Sequence, residues 1–170
     1  MKTLKNPLLL LIVFSTVSFA QEKATRSFTI KGKVKNEISI SEDQLTKHTV
    51  QTIGTVNITN HKGELKGKAK DMSGVLLRDI LQKVELDEDN PKYFSEYYFV
   101  CTGTDNYKVV FSWNELFNTS VAQRVFIVTQ KDRKNMLDDE EGILMISADD
   151  FRTGRRYVKN LETIQVRRAE

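Results

Sequence analysis

Between Arg152 and Lys159 the chain reads Arg-Thr-Gly-Arg-Arg-Tyr-Val-Lys, three arginines and one lysine in eight residues. Guanidinium groups carry paired N–H donors at the spacing of two phosphate or carboxylate oxygens. Gly154 has no Cβ to hold a ligand away from the backbone. The chemistry this allows is anion binding, with Arg155, Arg156 and Lys159 as the candidate edge. The competing use is local ion pairing, because Asp149, Asp150 and Glu162 are close in sequence. If pairing is their whole role, replacing Arg156 and Lys159 with Ala shifts stability by less than about 1 kcal/mol per exposed charge.

Cys101 is the second candidate and the only cysteine. One thiol cannot close an internal disulfide, so it serves as a buried apolar side chain, a metal ligand or an intermolecular partner. His48 and His61 have no Cys or His at ligand spacing, which argues against a zinc site.

The elements that must position these groups begin after a leader. Met1 to Ala20 has Lys2 and Lys5, an apolar run from Leu8 to Val13, and a Ser-Phe-Ala ending, the pattern of a secretory signal peptide. The run falls short of the ~20 residues needed to span a bilayer. The expectation is an exported chain, periplasmic or extracellular and soluble, with a signal at 1–20 and one domain over 21–170. No cysteine near the cleavage point offers a lipid anchor, and no twin arginine precedes the run, so export proceeds unfolded. Losing two lysines takes the formal charge from +3 to +1. A nearly neutral body argues against nucleic acid or an anionic membrane as the main partner.

Along the domain, Ser27 to Val34 alternates as a strand, Ile38 and Ile40 mark a short second one, and Ser41-Glu-Asp-Gln44 is a capping box for a helical turn. Val50 to Thr59 is a β-branched strand, and Asn60-His-Lys-Gly63 is turn chemistry. The four lysines 62, 66, 68 and 70 read as a solvated loop or hairpin. Ser73 caps a predicted amphipathic helix built on Val75, Leu76, Ile80, Leu81 and Val84. Tyr93 to Thr102 and Tyr107 to Phe111 form a hairpin around Gly103-Thr-Asp-Asn106. A second capping box, Ser112-Trp-Asn-Glu115, opens a short helix. Strands at Gln123 to Thr129 and Ile143 to Ile146, a charged loop from Lys131 to Glu141, and an alternating end (Leu161, Ile164, Val166) complete the chain. Many strands and few helices, without βαβ order, make this α+β: a mixed β-sheet or barrel-like core with two or three short helices.

Several of these pieces resemble the molybdopterin-binding domain of the sulfite-oxidase type. Gly74-Val-Leu-Leu-Arg-Asp-Ile-Leu81 is similar to its helix start, and Val100-Cys-Thr-Gly103 to the strand end whose Cys-x-Gly supplies a molybdenum thiolate. Asp105-Asn-Tyr107 with Phe111-Ser-Trp-Asn-Glu-Leu116 resembles its short stand-alone members. Glu141-Gly-Ile-Leu-Met-Ile146 with Gly154-Arg-Arg-Tyr-Val-Lys159-Asn-Leu161 resembles its closing segment. The likeness spans Phe28 to Val166. It implies a molybdopterin cofactor, with Cys101 as metal ligand and Arg155, Arg156 and Lys159 as the pterin clamp.

This sequence also departs from the pattern. Thr104, Asp105 and Asn106 follow the Cys-x-Gly where catalytic members carry Asn and arginines, Met72 replaces a Trp, and Ser147-Ala148 lacks a proline. The family's cofactor is inserted before export, which unfolded export does not allow. The reading is therefore an exported, degenerate member without the full catalytic apparatus; any activity it had would be molybdopterin-dependent oxidoreduction. The alternative is a cofactor-free ligand-binding or accessory module whose Arg/Lys edge holds a small anion or meets a redox partner protein.

Overall fold

The computed structural model describes residues 24–170, so the leader expected at 1–20 lies outside the described residues. Two sheets organise the chain. The first runs β2 (Ile38–Ser41), β1 (Ser27–Gly32), β11 (Leu161–Arg168), β5 (Tyr97–Gly103) and β6 (Lys108–Ser112). Its β1 and β11 are parallel, and its other neighbours are antiparallel. The second runs β10 (Tyr157–Val158), β9 (Leu144–Ser147), β7 (Val125–Lys131), β4 (Leu65–Leu76) and β3 (Val50–Thr59), with short β8 (Lys134–Asn135) on β7. Three short α-helices, α1 (Glu42–Leu45), α2 (Leu77–Leu81) and α3 (Trp113–Phe117), join them. The class is mixed α+β as expected, and the sheets are open rather than closed into a barrel, one ending at β2 and β6 and the other at β10 and β3.

At β7, β9 and the inner end of β4 the second sheet is buried on both faces, and the sequence records this as unbroken apolar runs. Along β7, Val125 and Ile127 face the core shared with the first sheet, while Phe126 and Val128 face a second cluster. The residues 143–146 alternate in the same way, with Ile143 and Met145 on one side and Leu144 and Ile146 on the other. The second cluster is covered by the long β3–β4 hairpin, which brings Ile53, Val56, Ala69 and Met72 onto Phe126 and Leu144. Register shifts between Thr52, Gly54 and Val56 give that hairpin its bend.

Several expectations stand and several are corrected. Both capping boxes form: the Gln44 side chain accepts from the Ser41 N–H at 2.8 Å, and Glu115 and Ser112 bond reciprocally at 2.8 and 3.1 Å. The Gly103–Asn106 hairpin joins β5 to β6. The helix predicted from Ser73 starts only at Leu77, because Ser73 to Leu76 belong to β4 and pair with Phe126 to Gln130. Val75 and Leu76 point to opposite faces of a doubly covered strand, a pattern that helical spacing imitates. The lysine-bearing stretch is the hairpin of the two readings, with Lys62 on the turn and Lys66, Lys68 and Lys70 on the outer half of β4. Tyr93 to Glu96 is a 3-10 turn, and β5 starts at Tyr97. In β11, Leu161, Ile164 and Val166 all reach the core despite uneven spacing, since a register shift between Leu161 and Thr163 resets the face.

Candidate functional site

Three segments distant in sequence meet at one end of the second sheet. The β3–β4 turn is set by Asn60, whose Oδ1 accepts from the N–H groups of Lys62 and Glu64 at 2.9 and 3.0 Å. The basic turn docks onto β3 through Thr153, whose hydroxyl donates to the Asn57 carbonyl at 2.7 Å and accepts from the Thr59 N–H at 3.1 Å. Arg155 Nε donates to the His61 carbonyl at 3.1 Å, and Tyr107 from the β5–β6 hairpin donates to the Arg155 carbonyl at 2.8 Å.

These segments wall an open cleft of about 590 Å³. Lys66 and Lys68 of β4 contribute to the lining, Lys131, Glu141, Tyr157 and Lys159 form a second group, and Asp105 and Asp132 line it too. Glu141 is the hub of the second group. It takes an ion pair from Lys159 at 2.6 Å, a hydrogen bond from the Tyr157 hydroxyl at 2.7 Å, and a close ion pair from Lys131. Lys131 also pairs with Asp139 at 3.4 Å. Burial raises the Glu141 carboxyl most, but the hydrogen bonds from Lys131, Lys159 and Tyr157 together outweigh it and hold the group below its ordinary range. Tyr157 is pushed well above the usual phenol value by burial first and by the Glu141 charge second. The cleft thus has a wall of two cations and one anion at Lys131–Glu141–Lys159, with Asp132 also in the lining, and a cationic wall at Lys66 and Lys68. Lys68 makes no ion pair among the described residues, and Lys66 reaches only Glu64 at 4.0 Å.

The Arg155, Arg156 and Lys159 edge is split by this geometry. Lys159 lines the cleft, while Arg155 is exposed and turned to the His61 carbonyl. Arg156 has other partners: a two-pronged pair with Asp150 at 2.6 Å on each arm, Glu115 at 3.0 Å, and the Phe111 ring 4.6 Å from its guanidinium carbon. With 21% of its side chain exposed, Arg156 is not the exposed charge that the small stability bound assumed. Only Lys159, 55% exposed, falls within that bound.

Cys101 lies in β5, paired across to Ile164 and Val109, with none of its surface exposed. Burial pushes its thiol up to about 12, so at neutral pH it is a protonated, apolar core group. A molybdenum–pterin group requires an accessible thiolate and free cations. Here the thiol is enclosed and Arg156 is committed to two carboxylates, so the residues as placed do not fit that group. Native protein is accordingly expected to react with an aromatic disulfide reagent orders of magnitude more slowly than a free thiol, and stoichiometrically once unfolded. Fast labelling of the folded chain would show that β5 opens at Cys101.

Sequence reasoning missed Lys131, Glu141 and Tyr157, whose meeting depends on the β7–β9–β10 pairing. It also missed the cationic wall, although Lys66, Lys68 and Lys70 recur at every second residue, the period of one strand face. No helix of the described residues is long and apolar enough to cross a membrane.

No protein-family model matches this chain, and no curated protein matches it in sequence. Its fold is similar to the crystal structure of the sulfane dehydrogenase SoxCD from Paracoccus pantotrophus, with a TM-score of 0.61 and 12% identity. The similarity covers 86% of this chain and 40% of that one, so the chain spans well under half of the enzyme's length. What the chain shares with that dehydrogenase is its mixed α+β fold.

Proposed function

We propose that this chain is an exported, cofactor-free relative of the sulfite-oxidase-type domain that uses the cleft between β4 and Lys159 to bind a small anion. The observation that carries the reading is the placement of the two candidate chemistries. The one thiol suited to a soft metal is enclosed in the core, while cations line an open cleft. Lys66 and Lys68 supply positive charge from one wall, and Lys159 adds an N–H donor group from the other. A tetrahedral oxyanion seated between them would receive charge-assisted hydrogen bonds from both sides. The Asp105, Asp132 and Glu141 carboxylates limit the charge the site accepts, which suits an ion of one or two charges over a polyphosphate.

The test has two arms. Elemental analysis for molybdenum and tungsten, with a pterin fluorescence assay, on protein from its native envelope fraction is expected to find neither at stoichiometric level. Stoichiometric metal would overturn the cofactor-free reading. Calorimetric titration with sulfate, thiosulfate and phosphate is expected to find one site, weakened about tenfold or more by the Lys66→Ala, Lys68→Ala double change. Binding of none of the three would overturn the anion reading.

A further inference from the structure

The edge just outside the cleft combines features that the cleft does not use. Phe151 is 103% exposed, so its whole ring stands in solvent. It precedes Arg152, whose side chain lies along the β3–β4 turn, with Nε 3.4 Å from where a Cβ on Gly63 would sit. Two residues beyond Gly63, Leu65 is 59% exposed. Lys62 lies on the same turn. Two apolar side chains thus flank a pair of cations at one corner of the molecule.

Of the acids beside this corner, Glu64 on the turn itself accepts from the Asn60 side-chain amide at 2.7 Å and lies 4.0 Å from Lys66. Asp149 pairs with Arg124 at 2.9 Å, and Asp150 with Arg156 at 2.6 Å. Among the described residues Lys62 and Arg152 make no ion pair, so with Glu64 as the carboxylate on the turn the corner keeps a net positive charge, which the formal +1 of residues 21–170 does not reveal. It is also held in place, because Thr153 ties the basic turn to β3 and Arg155 ties it to the His61 carbonyl. A single exposed Phe on a protein surface needs no explanation. A Phe and a Leu on a braced corner of net positive charge have the composition of a peripheral membrane contact.

We infer that the Lys62–Leu65 turn and the Phe151–Arg152 corner form a docking surface for an anionic phospholipid bilayer. Phe151 and Leu65 enter the headgroup–acyl boundary, and Lys62 and Arg152 meet lipid phosphates. None of Lys62, Phe151 and Arg152 lines the cleft, so this surface is independent of the anion proposal.

The experiment is co-sedimentation of the protein, taken for parent and variants alike from the native envelope fraction in the form the cell itself processes, with vesicles of phosphatidylcholine alone or mixed with phosphatidylglycerol. Binding is expected only to the mixed vesicles and is expected to fall at high salt. Phe151→Ser should weaken it roughly tenfold, and each of Lys62→Ala and Arg152→Ala roughly fivefold. These side chains are exposed or surface-laid, so matched thermal melts will show that the variants fold. Equal binding to neutral vesicles, variants that bind like the parent, or no binding to either vesicle would each overturn the assignment. Displacement by inorganic phosphate beyond its ionic-strength effect would overturn it in favour of a soluble anion. A self-associated form lost in Phe151→Ser would overturn it in favour of contact between copies.

Discussion

Gly154→Ala is expected to lower the unfolding midpoint by roughly 6–12 °C, from a loss of about 3 kcal/mol in a domain of this size. A Cβ at this position would sit 1.9 Å from the Thr59 carbonyl oxygen, a backbone atom inside the β3–β4 ladder that cannot swing aside. Something must move, and the element that yields is the basic turn rather than the strand. Moving it breaks both hydrogen bonds of the Thr153 hydroxyl to β3, each worth about 1 kcal/mol. Strain and lost bonds therefore fall on one contact. Gly67→Ala is the matched control, since a Cβ there meets nothing within 4 Å on the same hairpin. Calorimetric melts of the two variants side by side decide the matter. If Gly154→Ala melts with the parent, the turn is not seated on β3, and the cleft and the cationic corner lose their common support.

How much of this was legible in the sequence follows the range of each interaction. Both capping boxes were readable because donor and acceptor lie three residues apart. The strand Val50–Thr59 was readable because β-branched residues crowd one short segment between turn signals. The helix predicted from Ser73 failed for a different reason. A strand covered on both faces has no polar alternation, so Val75, Leu76 and Leu77 fit either period, and only pairing with β7 decides. The site divides in the same way. Asp150 as a partner of Arg156 was visible at a separation of 6 residues, whereas Glu115, 41 residues away, was not. The Glu141 hub needed β7, β9 and β10 to be assembled before its three donors could converge. Cys101 was legible only as a choice, since the residue alone allowed a core thiol and the resemblance implied a ligand, and it took the pairing of β5 with β11 and β6 to show the thiol enclosed.

Arg156→Ala is expected to cost about 2–3 kcal/mol at neutral pH, with a pH signature that identifies the cause. Breaking a fully buried ion pair by removing one partner costs about 3–5 kcal/mol; the figure here is lower because Arg156 and Asp150 keep 21% and 18% of their side chains exposed. The guanidinium also covers the Phe111 ring, and that packing is lost with it. Burial is the largest influence on the Asp150 carboxyl and raises it, but hydrogen bonds from Arg156 and Ser147 and the Arg156 charge bring it below its ordinary value. A carboxylate depressed in the folded state stabilises the protein above its unfolded pKa of about 4 and loses that contribution as pH falls through the lower folded value. Denaturant titrations should therefore show a constant gap between parent and variant from about pH 5 to 7, narrowing below about pH 4 as Asp150 protonates in the parent. Arg156→Lys should recover only part of the gap, because one ammonium cannot reproduce the two-pronged contact while also reaching Glu115. A gap that persists undiminished in acid would assign the loss to packing on Phe111 and leave the ion pairs as bystanders.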